Sequence, residues 1–126
     1  MGLDSYLRIL VVDDYSTMRR FVIDSLKDLG FQFVDEASDG AKALEKLRAT
    51  PFDLVITDWN MPNLSGLDMV KTMRAEPALK KIPVLMITAE AMKESIIEAA
   101  RAGVTHYVIK PFTPDVLKKK MEKMFR

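Results

Sequence analysis

Five times in 126 residues a short aliphatic run gives way to a stretch of helical period, and that alternation leaves few folds open. The runs are Leu7-Arg8-Ile9-Leu10-Val11-Val12, Phe33-Val34 continuing to about Ala37, Leu54-Val55-Ile56-Thr57, Val84-Leu85-Met86-Ile87 and Tyr107-Val108-Ile109. Each is rich in β-branched and aliphatic residues and stops at a breaker, as buried strands do. The first intervening stretch carries Met18, Phe21, Val22, Ser25, Leu26 and Leu29 at helical spacing, with Ser16 the expected N-cap and Gly30 just past the end. Ala41, Leu44 and Leu47 mark a second helix closed by Pro51. Ser65 caps a third with Leu67, Val70 and Met73 inward. A fourth spans about Met92 to Ala102, with Ile96, Ile97 and Ala100 inward and Gly103 as terminator. Thr113-Pro114 opens a fifth, striped by Leu117, Met121, Met124 and Phe125.

The pattern predicts one α/β domain over 1–126, a doubly wound (βα)5 fold. Its five-stranded parallel sheet has helices on both faces, because right-handed crossovers leave no other economical solution. The order 2-1-3-4-5 is taken over from flavodoxin-like sheets of this kind; it is not deduced from the residues. Nineteen basic against 18 acidic residues give a net charge of +1, which offers no global attraction to nucleic acid or membrane. Cysteine is absent, which excludes a disulfide framework, and no apolar stretch approaches the roughly 20 residues of a membrane span. A monomeric cytoplasmic protein is expected. The nine methionines fall mostly at apolar helix positions or strand ends and read as gap-filling core residues.

Four of the strand runs end on residues that phosphoryl chemistry uses: Asp13-Asp14, Asp58, Thr88 and Lys110. In an open α/β sheet, ligands sit beyond the carboxyl ends of the strands, so one parallel sheet brings these together. Two unit charges about 4 Å apart repel by about 4 kcal/mol at an effective dielectric near 20. Three carboxylates therefore need positive charge, which Lys110 supplies in part and a divalent cation completes. An all-oxygen set of Asp13, Asp14, Asp58 and the Asn60 carbonyl favours Mg²⁺ or Mn²⁺ over Zn²⁺. A carboxylate in such a site can attack phosphorus and form an acyl phosphate. Asp58 stands alone at its strand end before Trp59 and Asn60, which makes it the choice for that role. Lys110 would neutralise a phosphoryl oxygen and the Thr88 hydroxyl would donate to another.

With LVVDDYSTMRR at 10–20, TDWNMPN at 57–63, MITAEA at 86–91 and YVIKPFT at 107–113, the chain resembles the receiver domains of two-component response regulators along its whole length. The STMRR, DWNMPN and TAEA details resemble the single-domain chemotaxis branch. The resemblance implies that Asp58 is phosphorylated from the phosphohistidine of a sensor kinase. It implies Mg²⁺ on Asp13, Asp14, Asp58 and the Asn60 carbonyl, with Thr88 and Lys110 on the phosphoryl group. Tyr107 would be the aromatic switch moving with Thr88. Asn60 and Glu90 would set the acyl-phosphate lifetime and admit a phosphatase where one exists. Lys110-Pro111 would be a cis peptide. The output face, roughly 92–124, would bind the flagellar motor switch.

Some residues depart from the chemotaxis pattern. Met92 stands for a lysine, Lys118-Lys119 stand for acidic residues, and Tyr15 stands for a phenylalanine. A phosphate-draining receiver of another pathway is an alternative. So is the receiver half of a transcription factor, which would continue past Arg126 into a linker and a DNA-binding domain. An aspartyl-nucleophile phosphatase fits poorly, because 126 residues leave no room for a cap. An FMN carrier fits poorly because Asp13-Asp14 repel phosphate. His106 reads as ordinary strand structure, and Lys118–Lys120 as a solvated helix face.

Overall fold

The computed structural model describes residues 4–125; residues 1–3 and 126 of the expected domain lie outside the described residues. Strands and helices alternate strictly: β1 (Arg8–Val12), α1 (Ser16–Asp28), β2 (Phe33–Ala37), α2 (Gly40–Ala49) and β3 (Leu54–Asp58), then α3 (Gly66–Ala75), β4 (Val84–Thr88), α4 (Lys93–Ala102), β5 (His106–Ile109) and α5 (Pro114–Met124). All five strands are parallel, in the expected order β2-β1-β3-β4-β5. The two central strands, β3 and β4, are buried at every residue, which is why they read as unbroken apolar runs.

Side chains alternate across the sheet and build two cores. Ile9, Val11, Leu54, Ile56, Leu85, Ile87 and Val108 point toward α1 and α5, where they meet Val22, Leu26, Leu117 and Met121. Leu10, Val12, Val55, Val84 and Met86 point the other way, toward α2, α3 and α4. Each fully buried aliphatic side chain contributes about 1.5–3 kcal/mol of transfer free energy. Met69, Met73, Met86 and Met121 fill these cores, as expected of the methionines.

Local chemistry sets most helix ends. Asp39, Ser65 and Thr113 accept hydrogen bonds from the N–H groups of Lys42, Asp68 and Val116, capping α2, α3 and α5. Gly30 and Gly103 take positive φ, +100° and +102°, where helices α1 and α4 turn away. Two expectations need correction. Ser16 is the first residue of α1 and not its cap; Tyr15 holds the cap position, and its N–H is taken by the Asp13 carboxylate. In α4 only Ala99 is buried, while Ile97 and Ala100 face solvent and Ile96 is half-buried. A helix whose apolar residues are Ile96, Ile97, Ala99, Ala100 and Ala102 has an ambiguous phase, and packing against α3 selects Ala99.

Candidate functional site

The last register pair of β1 and β3 is Val12 with Thr57, so one further step sets Asp13 opposite Asp58. Asp14 follows in the turn. Carboxylate oxygens of Asp13, Asp14 and Asp58 lie within 4.8 Å of one another, with Asp13 and Asp58 buried and Asp14 exposed. Asp13 is only 2% exposed. Its N–H donates to the Ala37 carbonyl at 3.2 Å and its Oδ1 accepts the Tyr15 N–H at 2.9 Å. Burial pushes the Asp13 pKa up from 3.8 to about 6; the Tyr15 N–H pulls it down, Asp58 pushes it up, Lys110 pulls it down, and Asp14 adds a smaller upward push. A carboxyl held so far from its ordinary value costs folding free energy and is the kind of group a cation relieves.

Asp58 closes β3. Its Oδ1 accepts both the Trp59 N–H at 2.8 Å and the Lys110 ammonium at 3.3 Å. Lys110 is fixed in turn by its own N–H on the Thr88 carbonyl at 2.9 Å, and the Lys110-Pro111 peptide is cis, as the resemblance implied. One ammonium among three carboxylates leaves surplus negative charge. The donor set is all oxygen, with no cysteine in the chain, and fits a hard divalent cation. Asn60 is exposed, and no hydrogen bond between described residues ends on its carbonyl. Trp59, Met61 and Leu64 of the same loop pack onto the α3 side of the core and hold it.

Strand parity separates the remaining residues. Asp13, Asp58 and Lys110 continue the columns of Val11, Ile56 and Val108, on the α1 and α5 side. Thr88 continues the column of Val84 and Met86, on the α3 and α4 side, and Tyr107 packs on that core as well. Met86 pairs with Tyr107, so Thr88 and Tyr107 are diagonal neighbours on one face. Thr88 is 2% exposed and its hydroxyl accepts the Glu90 N–H at 2.9 Å, which caps the β4–α4 turn. Glu90 itself is exposed. Tyr107 is half-buried with the Lys120 ammonium 5.6 Å from its ring centre. His106 enters β5 as ordinary structure; burial first, then Lys120 and Lys123, lower its pKa.

Two residues escaped the sequence reading. Gly66 opens α3 with its N–H on the Trp59 carbonyl at 2.8 Å, and a Cβ there would overlap the Asp58 carbonyl oxygen. Its signal was available: glycine is a poor choice just inside a capped helix unless something lies against it. Arg19 reaches back from α1 to the Asp13 carbonyl. A contact between a helix surface position and a strand-end carbonyl leaves no periodic trace.

Residues 9–122 match the family model described as the response regulator receiver domain. The chain is 55% identical over 123 residues to chemotaxis protein CheY-3 of Vibrio cholerae serotype O1, covering 98% of this chain and 95% of that one. It is 55% identical over 119 residues to chemotaxis protein CheY of Pseudomonas aeruginosa, covering 94% and 96%. Among solved structures, the chemotaxis response regulator CheY4 of Vibrio cholerae superposes with a TM-score of 0.89 at 36% identity, covering 94% of this chain and 98% of that one.

Proposed function

Because the chain belongs to the response regulator receiver domain family, we propose that it is a phosphorylation-controlled chemotaxis switch with Asp58 as phosphoacceptor. The observation that carries this reading is the unequal setting of the two Asp58 oxygens. Oδ1 is occupied by Lys110 and Trp59, whereas no hydrogen bond between described residues ends on Oδ2. Oδ2 is the nucleophile: it attacks the phosphorus of a sensor-kinase phosphohistidine, an O–P bond forms, and the P–N bond to imidazole breaks. Lys110 holds the carboxylate and offsets charge at the phosphoryl group. Mg²⁺, held by Asp13, Asp14, Asp58 and the Asn60 carbonyl, supplies the remaining positive charge when bound.

The response begins at Thr88. A phosphoryl group adds about −1.5 to −2 charges beside a hydroxyl that now serves only the Glu90 N–H. That bond uses the hydroxyl only as an acceptor, so its proton is free to donate a charge-assisted bond to a phosphoryl oxygen, stronger than the neutral bond of about 1 kcal/mol that is lost if the side chain turns away from Glu90. Thr88 then vacates space on the face it shares with Tyr107, and Tyr107 moves inward. Asn60 and Glu90 flank the path of hydrolytic water and set the lifetime of the acyl phosphate. The output surface is α4, β5 and α5, where Met92 is 64% exposed and Ile97 and Val116 are also exposed, and its partner is the flagellar motor switch.

Incubation with Mg²⁺ and acetyl phosphate, read by intact mass, should add one phosphoryl group to the chain and none to Asp58→Asn. Equal labelling of both would refute the assignment. Beryllofluoride treatment should raise affinity for a motor-switch peptide; an unchanged affinity would leave a receiver that drains phosphate without reaching the motor.

A further inference from the structure

Arg19 lies outside the carboxylate cluster, yet its side chain is only 18% exposed and two of its three guanidinium nitrogens are engaged. Nε donates to Glu36 Oε1 at 2.7 Å, and Nη1 donates to the Asp13 carbonyl at 2.6 Å. Asp13 is thus gripped three ways, at its N–H by Ala37, at its carboxylate by Tyr15 and at its carbonyl by Arg19. The far anchor is itself braced. Glu36 sits in β2 in register with Val11, and the Lys46 ammonium donates to the Glu36 carbonyl at 2.5 Å and to Asp35 Oδ1 at 2.9 Å.

We propose that Arg19 is a positioning residue for the divalent-cation site, with Glu36 as its brace, fixing the Asp13-Asp14 peptide so that both carboxylates face Asp58. This rests on the reading of the acidic cluster as a cation site. The carbonyl that Arg19 grips belongs to the peptide joining the two acids. If that peptide rotates, Asp14, exposed in the turn, swings relative to Asp13 while the strands stay in place. A guanidinium suits the task because its planar fork holds a carboxylate and a carbonyl at once, which an ammonium cannot do in the same geometry.

Charge and position make opposite demands here. As a point charge, Arg19 repels a divalent cation, so removing it would tighten binding. As a positioning residue, its removal loosens Asp13 and weakens binding. Mg²⁺ titrations of the whole chain, followed by Trp59 emission and by the Asp13 and Asp58 carboxyl resonances in NMR, separate the two. Wild type should respond and saturate. Arg19→Gln should weaken Mg²⁺ roughly tenfold, the lower range for a residue that orients a ligand. Arg19→Lys, at unchanged charge, should also weaken it, and Glu36→Gln should do so by a smaller factor. The Asp13 carbonyl-carbon resonance should move in every one of these variants before any Mg²⁺ is added. Mg²⁺ affinity equal to wild type, or tighter, in Arg19→Gln and Arg19→Lys would overturn the proposal while leaving the cation site intact. A wild type silent by both readouts would overturn the cation site as well. If Arg19→Gln fails to fold, Arg19→Lys and Glu36→Gln decide.

Discussion

Replacing Asp13 by asparagine should make this protein more stable while removing a carboxylate from the proposed cation site. Asp13 is buried, and its carboxyl titrates near 6 where an unburied one titrates near 3.8. A displacement of that size corresponds to about 3 kcal/mol of ionisation penalty. Above pH 6 the group is ionised in folded and unfolded chains alike, and folding bears the whole penalty. Between pH 6 and pH 4 the folded chain takes up a proton that the unfolded chain does not, so the penalty drains away. Below pH 3.8 both are protonated and it is gone. Asparagine keeps an oxygen for the Tyr15 N–H but brings an amide that must also be desolvated, which returns part of the gain. The expected net is about 1–2 kcal/mol at pH 7.5, or roughly 4–8 °C in Tm for a chain of this length.

Thermal unfolding in EDTA, followed by circular dichroism at pH 7.5 and again at pH 4, measures both the gain and its disappearance. Mg²⁺ then closes the gap from the other side, because a ligand at ten times its Kd adds about 1.4 kcal/mol to wild type and little to a variant that binds it poorly. An Asp13→Asn protein no more stable than wild type at pH 7.5, or equally stabilised at pH 4, would refute the account of the Asp13 carboxyl as a desolvated group.

Three further outcomes are expected. Lys110→Ala should raise the Asp13 pKa above about 6 and Asp58→Asn should lower it, because Lys110 holds it down and Asp58 pushes it up; carboxyl-carbon NMR titration without Mg²⁺ reads both signs, and movement in the same direction would contradict the site electrostatics. Gly66→Ala drives a Cβ into the Asp58 carbonyl, a backbone atom that cannot yield cheaply, and should cost about 1–3 kcal/mol in urea unfolding; an unchanged midpoint would mean that α3 does not abut Asp58. The half-buried Arg74 guanidinium donates to the carbonyls of Gly103, Lys80 and Ile82 at 2.7–3.0 Å, so Arg74→Met should destabilise by about 2–3 kcal/mol and speed amide exchange at Gly103 and Val104; unaltered exchange there would show that it does not hold α4.

What the sequence displayed follows from which forces leave local traces. Burial on both faces turns β3 and β4 into aliphatic runs, so their ends, and with them Asp58 and Thr88, were legible. The caps at Ser65 and Thr113 involve partners three residues away and were legible for the same reason. Ser16 misled because a serine before an apolar stretch is the commoner cap, whereas here a carboxylate two residues before Tyr15 takes the turn. The phase of α4 was hidden because its alanines and isoleucines surround the helix. Arg19, Glu36 and Lys46 were invisible because ion pairs between a helix and a strand depend on fold geometry and have no spacing rule. Convergence of the acids was a consequence of strand order, and that order came from the general pattern of doubly wound parallel sheets, not from these residues.

Sheet parity is the feature that joins the proposed chemistry to the proposed response. Asp58 and Lys110 extend the columns facing α1 and α5, while Thr88 and Tyr107 lie on the face toward α3 and α4. On the proposed function, a phosphoryl group on Asp58 would act across the end of the sheet, drawing the Thr88 hydroxyl away from the Glu90 N–H and with it the turn that starts α4. That helix has one buried residue, no side-chain cap at Met92, and the Arg74 clamp at its C-terminal end. Little burial opposes movement at its first turn, and two Arg74 hydrogen bonds to the Gly103 carbonyl oppose it at the last. On the proposed function, a local exchange of hydrogen bonds worth a few kcal/mol would be enough to tilt α4 about its C-terminal end, because the elements it must displace are the ones least committed to the core.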